Sequence, residues 1–381
     1  TAQFARCLEK LRATPAAQRI SASAWRHLDA VTPDPRILPS LDAQPEFTLP
    51  IWDYLAVMVD QERIDDAQFL LREHAVTLRR VSARYGVDPA TVVAVWGVES
   101  NFGKGTGGFN VLRSLATLSC AGRRQPYFRR ELLAALRIVQ GGHVDADQFL
   151  GSWAGAFGHT QFMPSTFERL AVDFDGDGRR DLIGNVPDAL ASTANYLRNA
   201  GWRDGRPWGI EVRLPTPRGR PFSLKGEGRR TRRTLATWSA RGLRRVDGSP
   251  LTRGGLPAST RAGLIAPAGV EGPAFLVLRN FDAAYSYNAA LSYALAIVHL
   301  ADRVRGAPPF VTPWPTDDLG LSRVERRELQ ALLGRRGHDI DAPDGILDAK
   351  TRAAVRAEQH RLGHEVTGRP GQRLLQALRE M

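Results

Sequence analysis

Val92-Val-Ala-Val-Trp-Gly-Val-Glu-Ser-Asn-Phe-Gly103 places an acid, Glu99, at the end of a short apolar helix. Asp88 is a suitable cap for that helix and Pro89 suits its first turn. Val92, Val95 and Trp96 recur at helical spacing, so Glu99 takes the next place on a stripe expected to face a core. A carboxylate there is desolvated and meets the negative end of the helix dipole, and both effects favour its protonated form. A carboxylic acid kept neutral near pH 7 is what a glycosidic oxygen needs from a general acid. An isolated Glu at a helix end is more often simply solvated, so the remaining motifs have to decide.

The chain has 381 residues, enough for two or three domains with a sizeable core, and its 43% hydrophobic and 24% charged content are ordinary for a globular protein. No uninterrupted apolar run approaches the roughly 18–20 residues of a membrane span. It begins at Thr1, not Met, and a signal or lipid anchor segment is expected to be missing from it. A formal charge of +12, carried almost wholly by arginine, suits a polyanionic neighbour or a solvated basic surface. The charge is densest from Arg218 to Arg245, where only Phe222 and Trp238 are aromatic. That is too few for a base-stacking platform, and no nucleic-acid motif accompanies it.

Residues 1–85 read as a helical region broken at Thr32–Arg36 and again around Pro45 to Pro50, with one long amphipathic segment from Asp66 to Tyr85. Further helices are expected over 89–100, 111–118, 127–140, 146–150, 164–171 and 187–200. Residues 208–281 change to short β-rich runs such as Ile210–Leu214, Thr234–Trp238 and Phe275–Leu278. Helix returns at Tyr287 to Val304, a Pro-rich stretch over 306–316 reads as a stiff linker, and residues 317–381 read as a compact helical module. The class is mainly α, with a minor β part.

Gly151-Ser-Trp-Ala-Gly-Ala-Phe-Gly-His-Thr-Gln-Phe-Met-Pro-Ser165 is rich in small residues that let backbone approach a ligand. Ser152 and Gln161 offer hydrogen bonds, and Phe157 and Phe162 offer flat apolar faces. Asp173-Phe-Asp-Gly-Asp-Gly-Arg-Arg-Asp181 matches the first half of an EF-hand calcium loop. Position 12 is Gly184 where a bidentate Glu is expected, and Asp188 is the best replacement, with Asp181 acting directly or through water. Tyr287 and Tyr293 lie in the segment that opens the returning helix, where Asn288 suits a cap. His360 and His364 are one turn apart without an evident third metal ligand, so a solvated face is expected there.

Taken together, Val98–Gly103, Ala154–Ser165, Asp173–Gly178 and the pair Tyr287-Asn288 resemble the family of membrane-bound lytic transglycosylase B over about residues 5–305. The resemblance implies a lysozyme-like catalytic core (86–207 and 282–305), the helical region and β insertion described above, and one calcium site. It implies Glu99 as sole catalytic acid and base. It implies a glycan groove lined by Tyr54, Ser152, Gln161, Phe162, Tyr196, Tyr287, Asn288 and Tyr293. Asp173, Asp175, Asp177, the Arg179 carbonyl and Asp188 would hold a structural Ca2+, with no organic cofactor. Phe157 stands where many members have Met, a near-isosteric change.

Residues 317–381 resemble a three-helix peptidoglycan-binding domain, with Asp348 in place of a common Gly and Glu358 in place of a common Phe. The implied activity is non-hydrolytic cleavage of the MurNAc-β-1,4-GlcNAc bond to 1,6-anhydro ends, by a monomer acting on peptidoglycan strands in the periplasm or cell envelope. A hydrolytic muramidase and a non-catalytic wall-binding scaffold are the rival readings. Cys7 and Cys120 are either two buried thiols or one long-range bridge. The envelope location favours the bridge.

Overall fold

A computed structural model describes residues 2–42 and 48–381. Part of the expected break around Pro45 to Pro50 therefore lies outside the described residues. The chain forms two compact units, Thr1–Gln44 with Phe69–Gly205, and Pro45–Gln68 with Arg206–Met381.

The first unit is built around the Pro89–Ser100 helix, capped by Asp88, whose carboxylate accepts from the Thr91 amide at 3.0 Å. Val92, Val93, Ala94 and Val95 are all 0% exposed, so this helix is buried around its circumference instead of along one stripe. A helix that is apolar on every side is stable only when neighbours enclose it. Here they include Ala75–Tyr85 and Val186–Asn199. The expected segment from Asp66 to Tyr85 is two helices, Gln61–Glu73 and Ala75–Tyr85, meeting at His74. Cys7 and Cys120 form a disulfide with a Cα separation of 5.9 Å, tying the Ala2–Arg12 helix to Val111–Cys120. Residues 146–150 are not a helix: Ala146–Gln148 makes one 3-10 turn and the chain then enters a strand. That strand, β2 (Leu150–Gly151), pairs antiparallel with β1 (Phe109–Asn110).

The second unit contains a five-stranded antiparallel sheet of β3 (Gly209–Arg213), β4 (Arg232–Thr234), β5 (Arg244–Arg245), β6 (Arg261–Ile265) and β7 (Ala274–Val277). Its strand order is β4-β6-β7-β3-β5. The run from Thr234 to Trp238 is not a strand, because Thr234 accepts from the Thr237 amide and caps a helix, Leu235–Ala240. That helix buries Trp238 beside Ile210, Val212, Leu264 and Leu276. The returning helix is also two helices, Arg279–Tyr287 and Leu291–Val304, so Tyr287 ends the first, Asn288 takes its C-cap position and Ala290 is the N-cap position of the second.

Three further helices, Arg323–Arg335, Ala349–Arg361 and Gln372–Arg379, pack around Leu329, Leu333, Val355 and Leu375. Ser322 and Glu325 form a full capping box at the first of them. Glu358, which stands in place of the Phe common in the resembled domain, is 3% exposed and takes bonds from Arg336, His338 and Arg361 at 2.8–2.9 Å. The Pro-rich stretch is not a free spacer. Val311 and Thr312 donate to the Glu211 carboxylate, and Phe310 stacks on His299 at 3.7 Å. Among the described residues, no helix is long and apolar enough to cross a membrane.

Candidate active site

Glu99 is half-buried in the last turn of its helix, and the chain leaves that turn by an unusual route. Asn101, Phe102 and Gly103 have φ of 47°, 60° and 83°, three successive left-handed residues. For the two that are not glycine, this conformation costs about 1–2 kcal/mol each. Packing and hydrogen bonds offset that cost. The Asn101 and Phe102 amides donate to the Gly97 and Trp96 carbonyls at 3.0 and 3.2 Å. Phe102 is 6% exposed, lies edge-on to Trp96, and fills the space beside Gly97, where a Cβ would come 2.7 Å from its ring.

The neighbouring Gly-rich segment is fastened to the same turn. The buried Ser100 hydroxyl donates to the His159 carbonyl at 2.7 Å and accepts the Gly103 amide at 3.0 Å. Trp96 donates its indole N–H to His159 Nδ1 at 2.9 Å. Burial pushes the His159 imidazole below its ordinary pKa, in keeping with Nδ1 acting as an acceptor. Ser100, Trp96 and His159 thus fix the backbone on either side of Glu99.

Ser152 closes its own loop, its hydroxyl accepting from the Ala154 and Ala156 amides at 3.3 and 3.1 Å. Gln161 is left-handed with φ 52°, and its amide donates to the Thr106 and Gly158 carbonyls at 2.9 Å. Phe157 is not an open apolar face. It is 0% exposed between Phe149 and Phe167, because a ring of this size gains more from core burial than from solvent. Phe162 is likewise internal, at 2%, with its ring 5.8 Å from that of half-exposed Tyr196.

The other expected glycan residues belong to the second unit. Tyr287 and Tyr293 stack at 6.2 Å and 20°, Asn288 follows in the bend between two helices, and Tyr54 and Tyr293 are 4% and 3% exposed. An open cleft of about 870 Å³ adjoins these positions in sequence, lined by Trp52, Tyr285, Ala290, Ser292 and Pro315 among others.

In the acidic loop, carboxylate oxygens of Asp173, Asp175 and Asp188 lie within 4.8 Å of one another. Asp188 is 0% exposed, and burial raises its pKa. Gly176 and Gly178 adopt φ of 76° and 91°, which the tight turn needs. Three carboxylates so close suit a hard divalent cation with oxygen ligands. Asp177 accepts the Arg179 amide at 2.8 Å, and Asp181 accepts the Ile183 and Gly184 amides. Of the five expected ligands, the structure therefore gathers three carboxylates.

A model of the transglycosylase SLT domain matches residues 3–302. The chain belongs to that family. A putative peptidoglycan binding domain model matches residues 322–378. Membrane-bound lytic murein transglycosylase B of Escherichia coli K12 is 31% identical over 252 residues, 66% of each protein. SltB3 from Pseudomonas aeruginosa, solved with NAG-anhNAM-pentapeptide, is 47% identical over 99% of both chains, with a TM-score of 0.77. Escherichia coli SLT35 in complex with calcium is 28% identical, covering 80% of this chain and 92% of its own, with a TM-score of 0.66. The lysozyme-like lytic transglycosylase fold and the role of an enzyme acting on peptidoglycan follow from this membership.

Sequence reasoning quoted His159 and Ser100 within motifs but missed their function as a clamp. The signal was their placement: a Trp and a Ser one turn apart on one helix, and a His in a Gly-rich loop. Asn185 was also missed. Its side chain donates to Asp175 at 2.5 Å and accepts the Asp188 amide, bridging two candidate ligands.

Proposed function

We propose that this chain cleaves the MurNAc-β-1,4-GlcNAc bond without consuming water, with Glu99 as its one acid and base. Glu99 protonates the leaving glycosidic oxygen as the C1–O bond breaks. It then takes the proton of the muramyl 6-hydroxyl as that oxygen attacks C1 and closes the 1,6-anhydro ring. The fixed, half-buried setting of Glu99 carries this reading. Hydrolases of glycosides use two carboxylates about 5–9.5 Å apart. The stretches Val98–Gly108 and Gly151–Ser165 contain no acid other than Glu99.

Tyr54, Ser152, Gln161, Phe162, Tyr196, Tyr287, Asn288 and Tyr293 are the glycan-binding residues of this reading. Asp173, Asp175, Asp177, the Arg179 carbonyl and Asp188 hold a Ca2+ that supplies stability and takes no part in the chemistry. Asp175 and Asp188 are bridged by Asn185, which supports one concerted site. The catalytic region is 1–305, the connecting segment 306–316 and the wall-binding domain 317–381. The protein works as a monomer in the periplasm or envelope, a location that suits its disulfide. Mass analysis of muropeptides released from purified sacculi tests the activity. Anhydro ends are expected, whereas new reducing ends would make it a hydrolytic muramidase.

A further inference from the structure

The C-terminal module is fastened to the helix that carries Tyr54. Arg369 grips Asp53 with both arms of its guanidinium, Nε and Nη2 each 2.7 Å from a carboxylate oxygen, and also donates to Asp318. Asp53 is 5% exposed and lies in the first turn of Ile51–Met58. Gly320 presses on it from the module, since a Cβ there would come 2.6 Å from Asp53 Oδ1 and 2.9 Å from its Cα. Two residues beyond the helix, Asp60 accepts from the Arg323 amide and from its Nε and Nη2 at 2.9–3.2 Å, and Glu62 pairs with Arg327 at 2.7 Å.

Buried ion pairs contribute little net stability over apolar contacts of the same volume, but they fix geometry, because no other register satisfies both charges. Asp53 stands between Trp52, which lines the 870 Å³ cleft, and Tyr54. Pro315, from the segment leading into the module, lines the same cleft.

We infer that Arg369 is a positioning residue for glycan binding: through Asp53 it holds the helix bearing Trp52 and Tyr54, and the module is thereby part of the substrate-binding surface as well as a wall anchor. This rests on the reading of Tyr54, Tyr287, Asn288 and Tyr293 as glycan contacts.

The test uses the full chain with a short soluble glycan, which no wall-anchoring function can favour. Arg369→Gln should raise KM about tenfold, equivalent to about 1.4 kcal/mol, while kcat stays within about twofold, the pattern of lost uniform binding. Arg369→Lys keeps the charge without the two-armed grip and should fall between. Gly320→Ala, which keeps both charges but pushes on Asp53, should also raise KM. Arg373→Gln breaks only an exposed pair with Asp317 and should match wild type. Wild-type KM in folded Arg369→Gln and Gly320→Ala would overturn the inference. So would a fall in kcat at constant KM that tracks the folded fraction, since that is the mark of mere structural support. If the wild-type chain cleaves nothing, the catalytic reading fails instead. Calorimetric titration of the same glycan into these variants then decides the inference, with about tenfold weaker binding supporting it and unchanged binding overturning it.

Discussion

Ser100→Ala removes one oxygen from a place where two backbone groups depend on it. The hydroxyl is 2% exposed, donates to the His159 carbonyl at 2.7 Å and accepts the Gly103 amide at 3.0 Å. Losing it leaves both groups short of a partner, at about 1–3 kcal/mol for each buried polar group left unsatisfied. Trp96 still holds the His159 ring, so the net loss should sit near the low end, about 2–3 kcal/mol. For a unit of this size that corresponds to a melting shift of roughly 5–10 °C. Glu99 is the neighbouring residue, and a displacement of about 1 Å at a catalytic group can cost about a hundredfold in rate. The assay is thermal melting paired with steady-state cleavage of a soluble glycan. Trp96→Phe, which deletes the indole bond to the His159 ring, completes a double-mutant cycle. The two changes should be non-additive because they act on one clamp. A Ser100→Ala protein with wild-type melting and wild-type kcat would refute the clamp.

Chelation should lower the melting temperature and added Ca2+ restore it, by about 2.7 kcal/mol when free calcium is about a hundred times its Kd; an unmoved melting curve, with Asp175→Ala equally silent, would remove the metal assignment. Unfolding without reductant should expose no titratable thiol, since the Cys7–Cys120 bridge closes a separation of 113 residues, and two free thiols would contradict it. Burial alone would raise the Glu358 carboxyl, but hydrogen bonds from His338, Arg336 and Arg361 outweigh it and hold the group at about 2. The unfolded chain then binds the extra proton first, so stability is full above about pH 4.5 and is lost as pH falls toward 2, by on the order of 3 kcal/mol. Glu358→Gln should flatten that acid limb, and an unchanged limb would mean other carboxylates dominate it.

Local signals read well where one short segment contains the whole physics. Asp88 and Pro89 announced the start of the Glu99 helix, the alternation at Ile210–Leu214 and Phe275–Leu278 foreshadowed β3 and β7, and the Asp/Gly spacing at 173–178 foreshadowed a loop whose carboxylates converge. What the sequence concealed depends on partners far away. The stripe expected at Val92, Val95 and Trp96 is a helix enclosed on all sides, which period alone cannot reveal when every neighbour is also apolar. The helix break at His74 carries no Pro or Gly, so the periodic pattern runs through it unmarked. Asp53 and Arg369 pair across 316 residues, and each by itself reads as an ordinary charge on a solvated helix or loop. Phe157 was expected as a ligand face because small residues surround it in the chain. Those small residues instead allow the close backbone turns that bury its ring.

The central claim is that the substrate's own hydroxyl, not water, attacks once Glu99 has protonated the bond. Digestion of sacculi in water enriched in heavy oxygen, followed by mass analysis of the new ends, tests it most directly. The account predicts anhydro-muramyl ends free of label from the wild-type chain, and no new ends from folded Glu99→Gln. Heavy oxygen at new muramyl ends, or unlabelled anhydro ends still released by Glu99→Gln, would contradict it.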